Sequence, residues 1–426
     1  MEKSTSKRNW IFTINNRTTA ASNISLSEEE QQQTFPQDEE GLVVKAIFAF
    51  SIRRNFYKLF RNENLKSNVG CINGIRVLSM IWIIFTQTII VGAFMADNLL
   101  TVLDVASTII FEIVVNSVLA VETFFFLSGL FVSYVFFMHR EENNGRTSWF
   151  KFYLYRYLRL TPLYFLFIFV IDNGLIKYLT NGPFWPPNGF EGNNCNNNWW
   201  WNILFINNFM PSKHMCLEHS WFLANLMQFS FLSPVILILL ARYFRVGLFV
   251  SAPYVIGILF GLLLYRAKYQ QQLNIWMVFL GWTLTAAIGF GEVFRLILES
   301  NEHIGPLTAA LYYAFSRTLW SLMLCWIIFA CSNGYGAFAN FTLSLPFWQP
   351  LSRLTYSAYL VHVLVIHVVF EGANVPTHFS YVFMIYFAVL NAAVVYMVSV
   401  PISLVFEMPF LELLKLRPKS KADLKP

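Results

Sequence analysis

Charged side chains are scarce in this chain. Asp, Glu, Lys and Arg make up 13% of its 426 residues, about half the share of an ordinary soluble domain, while 56% are apolar. That imbalance excludes a soluble fold. Cysteine is scarce as well: of five, Cys71, Cys325 and Cys331 lie in or beside apolar runs, and only Cys195 and Cys216 share a polar loop. A disulfide scaffold is excluded and at most one bridge, Cys195 to Cys216, is expected. A cleavable signal peptide is missing from the mostly polar Met1 to Gly70, so the first membrane helix is expected to direct insertion. Basic residues outnumber acidic ones by 30 to 24, yet they fall between apolar runs, which points to membrane orientation and away from nucleic acid. His362 and His367, five residues apart, sit on different faces of a helix, so no metal site is expected.

Long apolar runs are what the chain has in quantity. Candidate spans are Ile75 to Ala96, Ile109 to Met138, Leu158 to Ile176, Trp221 to Leu240, Val246 to Tyr265, Ile275 to Val293, Leu307 to Cys331, Tyr356 to Val369 and Tyr381 to Phe406. The expected fold is therefore all-α, a polytopic transmembrane helical bundle occupying 71–410. Residues 1–70 read as a cytosolic, largely disordered tail with a basic juxtamembrane stretch, SIRRNFYKLFRNENLK, lying against the inner leaflet. The sequons at Asn16 and Asn23 would then carry no glycan. The basic link His139 to Arg159 is placed in the cytosol and the loop 177–220 on the luminal or extracellular side. Nine spans would leave the basic tail 411–426 outside, against its charge, so the count is off by one near Ala241 to Arg245.

Ionisable groups inside the spans each cost at least about 2.5 to 3.5 kcal/mol on insertion scales and so require a reason. Arg76 and Gln87, eleven residues apart, share nearly one helix face about 16 Å apart along the axis, either lining a pathway or serving as a snorkelling cation and a packing amide. Glu122 needs a proton or a basic partner, for which Arg76 is a candidate. Ser128 and Gly129 form a small-residue step that admits another helix or an acyl chain. Arg156 and Arg159 project from one helix face and suit either a phosphorylated carrier, such as the nucleotide part of coenzyme A, or lipid headgroups. His362 is either a neutral core histidine or a proton-transfer group. Glu292, Arg295 and Arg317 read as interfacial, and Glu407 as the end of the last span.

The segments CINGIRVLSMIWIIF, VETFFFLSGLFVSY, RYLRLTPLY, SWFLANLMQF, SRLTYSAYLVH and FEMP follow one another in an order and spacing that resembles the acyltransferase 3 family, in its nose resistant to fluoxetine-like animal branch. The resemblance covers about Gly41 to Leu416. It implies a membrane acyltransferase that moves acyl groups, other than amino-acyl groups, from a cytosolic acyl-CoA-type co-substrate to a hydroxyl acceptor. Membrane lipids or another lipophilic small molecule are the implied partners, and the plasma membrane or endoplasmic reticulum the implied location.

Arg76 matches the family's first-span arginine, Arg156 and Arg159 its arginine pair, and Glu122 its acidic residue. Gln87, however, stands where the family has a histidine that looks like the catalytic base, and Leu226 where the branch has an aspartate. A carboxamide takes no proton near neutral pH, so activity is expected to be reduced or lost unless another base, with His362 the candidate, takes over. The resemblance also implies a helix and polar loop missing between about Arg242 and Val250, which would make ten core helices and restore the tail to the cytosol. Two readings stay open: an acyltransferase with Arg76, Gln87, Glu122 and His362 around the chemistry and Arg156, Arg159, Ser128 and Gly129 around the substrate, or a non-catalytic lipid or xenobiotic transport or binding protein. Non-reducing peptide mapping is expected to recover Cys195 and Cys216 in one linked pair; free thiols at both would weaken the assigned topology.

Overall fold

The structure, a computed structural model, describes residues 42–61, 70–105, 108–142, 149–172, 178–180, 182–186, 194–242, 253–266, 272–294 and 306–415. Asn16, Asn23, Arg295, the tail beyond 415 and most of the link after Arg242 lie outside them. Among the described residues the fold is all-helical: α1 Leu42–Ala49, α2 Ile52–Phe60, α3 Cys71–Phe94, α4 Leu99–Val105, α5 Ile109–Val115, α6 Val118–Glu142, α7 Trp149–Asp172, α8 Asn194–Ile203, α9 Trp221–Arg242, α10 Pro253–Arg266, α11 Ile275–Val293, α12 Pro306–Ser332, α13 Ala337–Leu343, α14 Trp348–Glu371, α15 Tyr381–Ile402 and, after a π-helical turn Ser403–Glu407, α16 Met408–Lys415. The β pairing is one isolated bridge between Ala96 and Thr377.

Each expected span falls on a helix, with boundaries that moved for physical reasons. The second is broken at Asn116, whose side-chain amide donates to the Val293 carbonyl at 2.9 Å and draws the chain off the helix path. The third starts nine residues early, at Trp149, because that indole stacks on Phe136 at 5.0 Å and extends the contact between α6 and α7. Among the described residues six segments, including 71–94, 111–138 and 348–371, are long and apolar enough to cross a bilayer. With fourteen residues, or about 21 Å, α10 falls short of the hydrocarbon thickness.

Side-chain contacts give the helix directions. Arg76 meets Ser352 while Gly92 faces Phe370, so α3 and α14 run parallel; Gly92 also faces Met384 and Thr88 bonds Asn391, so α15 runs against them. Contacts of Ser128 with Arg156 and of Phe136 with Trp149 set α7 against α6, and Tyr164 with Ser220 and Tyr153 with Phe231 set α9 against α7. Gly257 packs on Phe126 and Leu130, and Gly261 on Leu130 and Ser133, which makes α10 parallel to α6. Thus α9 and α10, consecutive in the chain, point the same way. This is where the parity deficit arises, and it leaves both described termini at one end of the bundle.

At that end the expected tail is not all tail. Residues 42–60 fold as α1 and α2: Leu59 and Asn55 are fully buried, Lys58 pairs with Glu412, and Arg353 donates to the carbonyls of Lys58, Leu59 and Arg61 at 2.7 to 2.9 Å. The orphan carbonyls at the end of α2 thereby find a charged donor from α14. Arg53, Arg54 and Lys58 had suggested a solvated stretch, but Leu59, on the other face of the short helix, has a core to enter.

The α6–α10 seam admits no side chain. A Cβ at Gly129 would stand 2.1 Å from the Tyr254 carbonyl oxygen, and one at Gly257 2.1 Å from that of Phe126. Gly257→Leu is expected to cost about 1–3 kcal/mol or more by overpacking, read as a lowered Tm in detergent. Gly291→Leu, at a position where a Cβ meets nothing within 4 Å, should leave Tm unchanged.

Candidate active site within the bundle

Two levels of the bundle hold the polar groups. The lower one is cationic. Arg156, on α7, donates to Ser128 of α6 at 2.7 Å; Arg76, on α3, lies 5.1 Å over the Phe131 ring and reaches Ser352 at 3.5 Å. Arg159 is within electrostatic reach of both. Three guanidinium groups from two helices thus converge, with hydroxyls and an aromatic face compensating for lost water. Beside them lies Tyr254, in the first described turn of α10 and within electrostatic reach of Arg156. All of this selects for an anion.

Glu407 is the countercharge that sequence reasoning missed. Pro401 denies the ladder an N–H, the π turn 403–407 follows, and the carboxylate is carried inward, where Ser357 and Ser403 donate to it at 2.5 and 3.0 Å and Arg159 and Tyr356 lie within electrostatic reach. The motif FEMP held the residue; only the π turn shows that it faces inward.

Glu122 belongs elsewhere. Its partner is Arg317 on α12 at 3.2 Å, not Arg76. Arg76 packs on Phe131, nine residues and about 13 Å along α6 from Glu122, so the expected pairing fails on distance. Arg317 in turn is no isolated interfacial charge, and the neighbouring Trp320 indole donates to Thr123 at 2.9 Å on the same seam. Glu292 is buried and bonded by Ser316. Of the two occupants considered for Gly129, a helix takes the place: the α10 backbone fills the space an acyl chain would need.

The upper level holds Gln87 and His362. Arg76 and Gly92 lie opposite Ser352 and Phe370, so Gln87, between them, lies opposite about residue 364, within one turn of His362. His362 is 2% exposed, and its Nδ1 lies 2.6 Å from the Tyr359 carbonyl, an acceptor. Nδ1 therefore carries the hydrogen and Nε2 keeps the lone pair in the neutral ring. Facing it at 5.7 Å and 82° is His219, a second histidine that sequence reasoning passed over because it sits in the polar loop. It is placed by the turn Glu218–Ser220, which enters the bundle where Ser220, Asn202 and Tyr164 bond one another at 2.7 to 3.2 Å, and where the Cys195–Cys216 disulfide closes the loop. Burial, then His362 and His367, push the His219 pKa down to about 3, so its ring stays neutral.

A double-mutant cycle on thermal unfolding in detergent checks the reassignment of Glu122. Glu122→Gln with Arg317→Met is expected to show a coupling of about 0.5–3 kcal/mol, and Glu122→Gln with Arg76→Met additivity within about 0.5 kcal/mol.

Comparison with known proteins supports the motif reading. A family model described as an acyltransferase domain of the acyltransferase 3 type matches residues 69–253. Over 455 aligned residues the chain is 28% identical to nose resistant to fluoxetine protein 6 of Caenorhabditis elegans, covering 88% of this chain and 55% of that protein, so it spans about half the length of that relative. No solved structure matches. Over residues 69–253 the chain is thus similar to the acyltransferase 3 domain, and along most of its length to the worm relative; with six helical segments of membrane length among the described residues, this supports a multi-pass membrane protein.

Proposed function

We propose that the protein is an acyltransferase that takes an acyl group from a coenzyme A thioester on the side of the membrane where its termini lie and passes it to a hydroxyl acceptor. The observation that carries this reading is the convergence of Arg76, Arg156 and Arg159 beside Ser128 and Tyr254. Guanidinium forks are donors that phosphate oxygens take, and Arg–phosphate pairs are bidentate and specific. A donor anchored there by its anionic end extends toward the level of Gln87 and His362, about 16 Å along α3. Membrane lipids, or a lipophilic molecule dissolved in them, are the acceptors such a site meets, in the plasma membrane or the endoplasmic reticulum.

Gln87 and Leu226 favour a second reading, a non-catalytic lipid or xenobiotic carrier that keeps the binding cavity. Neither side chain titrates, and Leu226 is packed against the apolar core. Binding of radiolabelled lauroyl-coenzyme A to the purified chain in lipid nanodiscs tests the donor site. Arg156→Ala is expected to weaken it about ten- to a hundredfold, the loss of one charged hydrogen bond. Unchanged affinity would remove the donor site and leave the carrier reading.

A further inference from the structure

We propose that His362, held in place by His219, supplies the base that the first span lacks, an assignment that rests on the acyl-transfer reading above. Gln87 occupies the level where a proton acceptor is needed, and the register of α3 against α14 brings His362 to that level from the neighbouring helix. Three features fit it for the task. The Tyr359 carbonyl, 2.6 Å from Nδ1, fixes the tautomer and leaves the Nε2 lone pair for a substrate. His219 faces His362 edge to face, its own backbone carbonyl held at 2.5 Å by the Tyr359 hydroxyl, so Tyr359 holds the backbone of one histidine and the ring of the other. Finally, the Nε2 of His219 is buried without a hydrogen-bond partner, a polar atom whose cost is recovered only when a donor bonds to it.

In the step itself the acceptor O–H gives its proton to His362 Nε2 as the oxygen bonds to the thioester carbonyl carbon. The C–S bond breaks, and the departing thiolate takes the proton back from the imidazolium, so an ester and a free thiol result with no other reagent. The rings of His219 and Tyr359, which stay neutral, face the transient imidazolium. His219 is thus a positioning residue. His367, on another face of α14 and bonded at 2.7 Å to Glu371, also lies within electrostatic reach of His219.

The test follows thiol release from lauroyl-coenzyme A by the full chain in nanodiscs of phosphatidylcholine containing cholesterol as hydroxyl acceptor, with donor binding measured in parallel. His362→Gln is expected to lower kcat about a hundredfold or more with donor affinity unchanged. His219→Gln should lower kcat and shift the pH profile, and Gln87→His should restore turnover to the His362→Gln protein. Full turnover by folded His362→Gln would overturn the base while leaving acyl transfer intact. A wild type that binds donor but turns it over only as Gln87→His would also overturn the base, and one that binds no donor would bring down the underlying reading with it.

Discussion

A guanidinium group moved into hydrocarbon has no water to hydrate it, and the cost is tolerable only if the protein supplies hydroxyls, aromatic faces or carboxylates in its place. Arg76, Arg156 and Arg159 are accommodated in this way by Phe131, Ser352, Ser128 and the nearby Glu407. Much of the architecture follows from that need. The π turn after Pro401 exists where Glu407 must turn inward.

The seam between α6 and α10 shows how such a short helix is held. Its fourteen described residues are held to the bundle through Gly129, Gly257 and Gly261, which let the two backbones touch. In lipid, where apolar side chains gain little from leaving one apolar medium for another, this closeness supplies the attraction. The same seam brings Ser128 to Arg156, so that packing and the cationic site are one construction. Glu122, six residues or more up α6 from this site, is turned toward α12 and takes part in a different joint, with Arg317 and, through Thr123, Trp320.

Composition and apolar runs already determined that this is an all-α membrane bundle, because chain length per span and the cost of charge in lipid are properties of the residues themselves. The charge of the tail likewise exposed the missing crossing, and spacing on single helices put Arg156 with Arg159 and Arg76 on the face of Gln87. Which partner each charge takes was decided by tertiary structure alone. Arg317 for Glu122, Glu407 beside Arg159, and His219 against His362 join residues between 143 and 248 positions apart, or on either side of a π turn, and no periodicity carries information over such distances. The folding of residues 42–60 was illegible for the same reason: Leu59 looks like one apolar residue among cations until α14 offers Arg353 to cap its helix and a core to receive it.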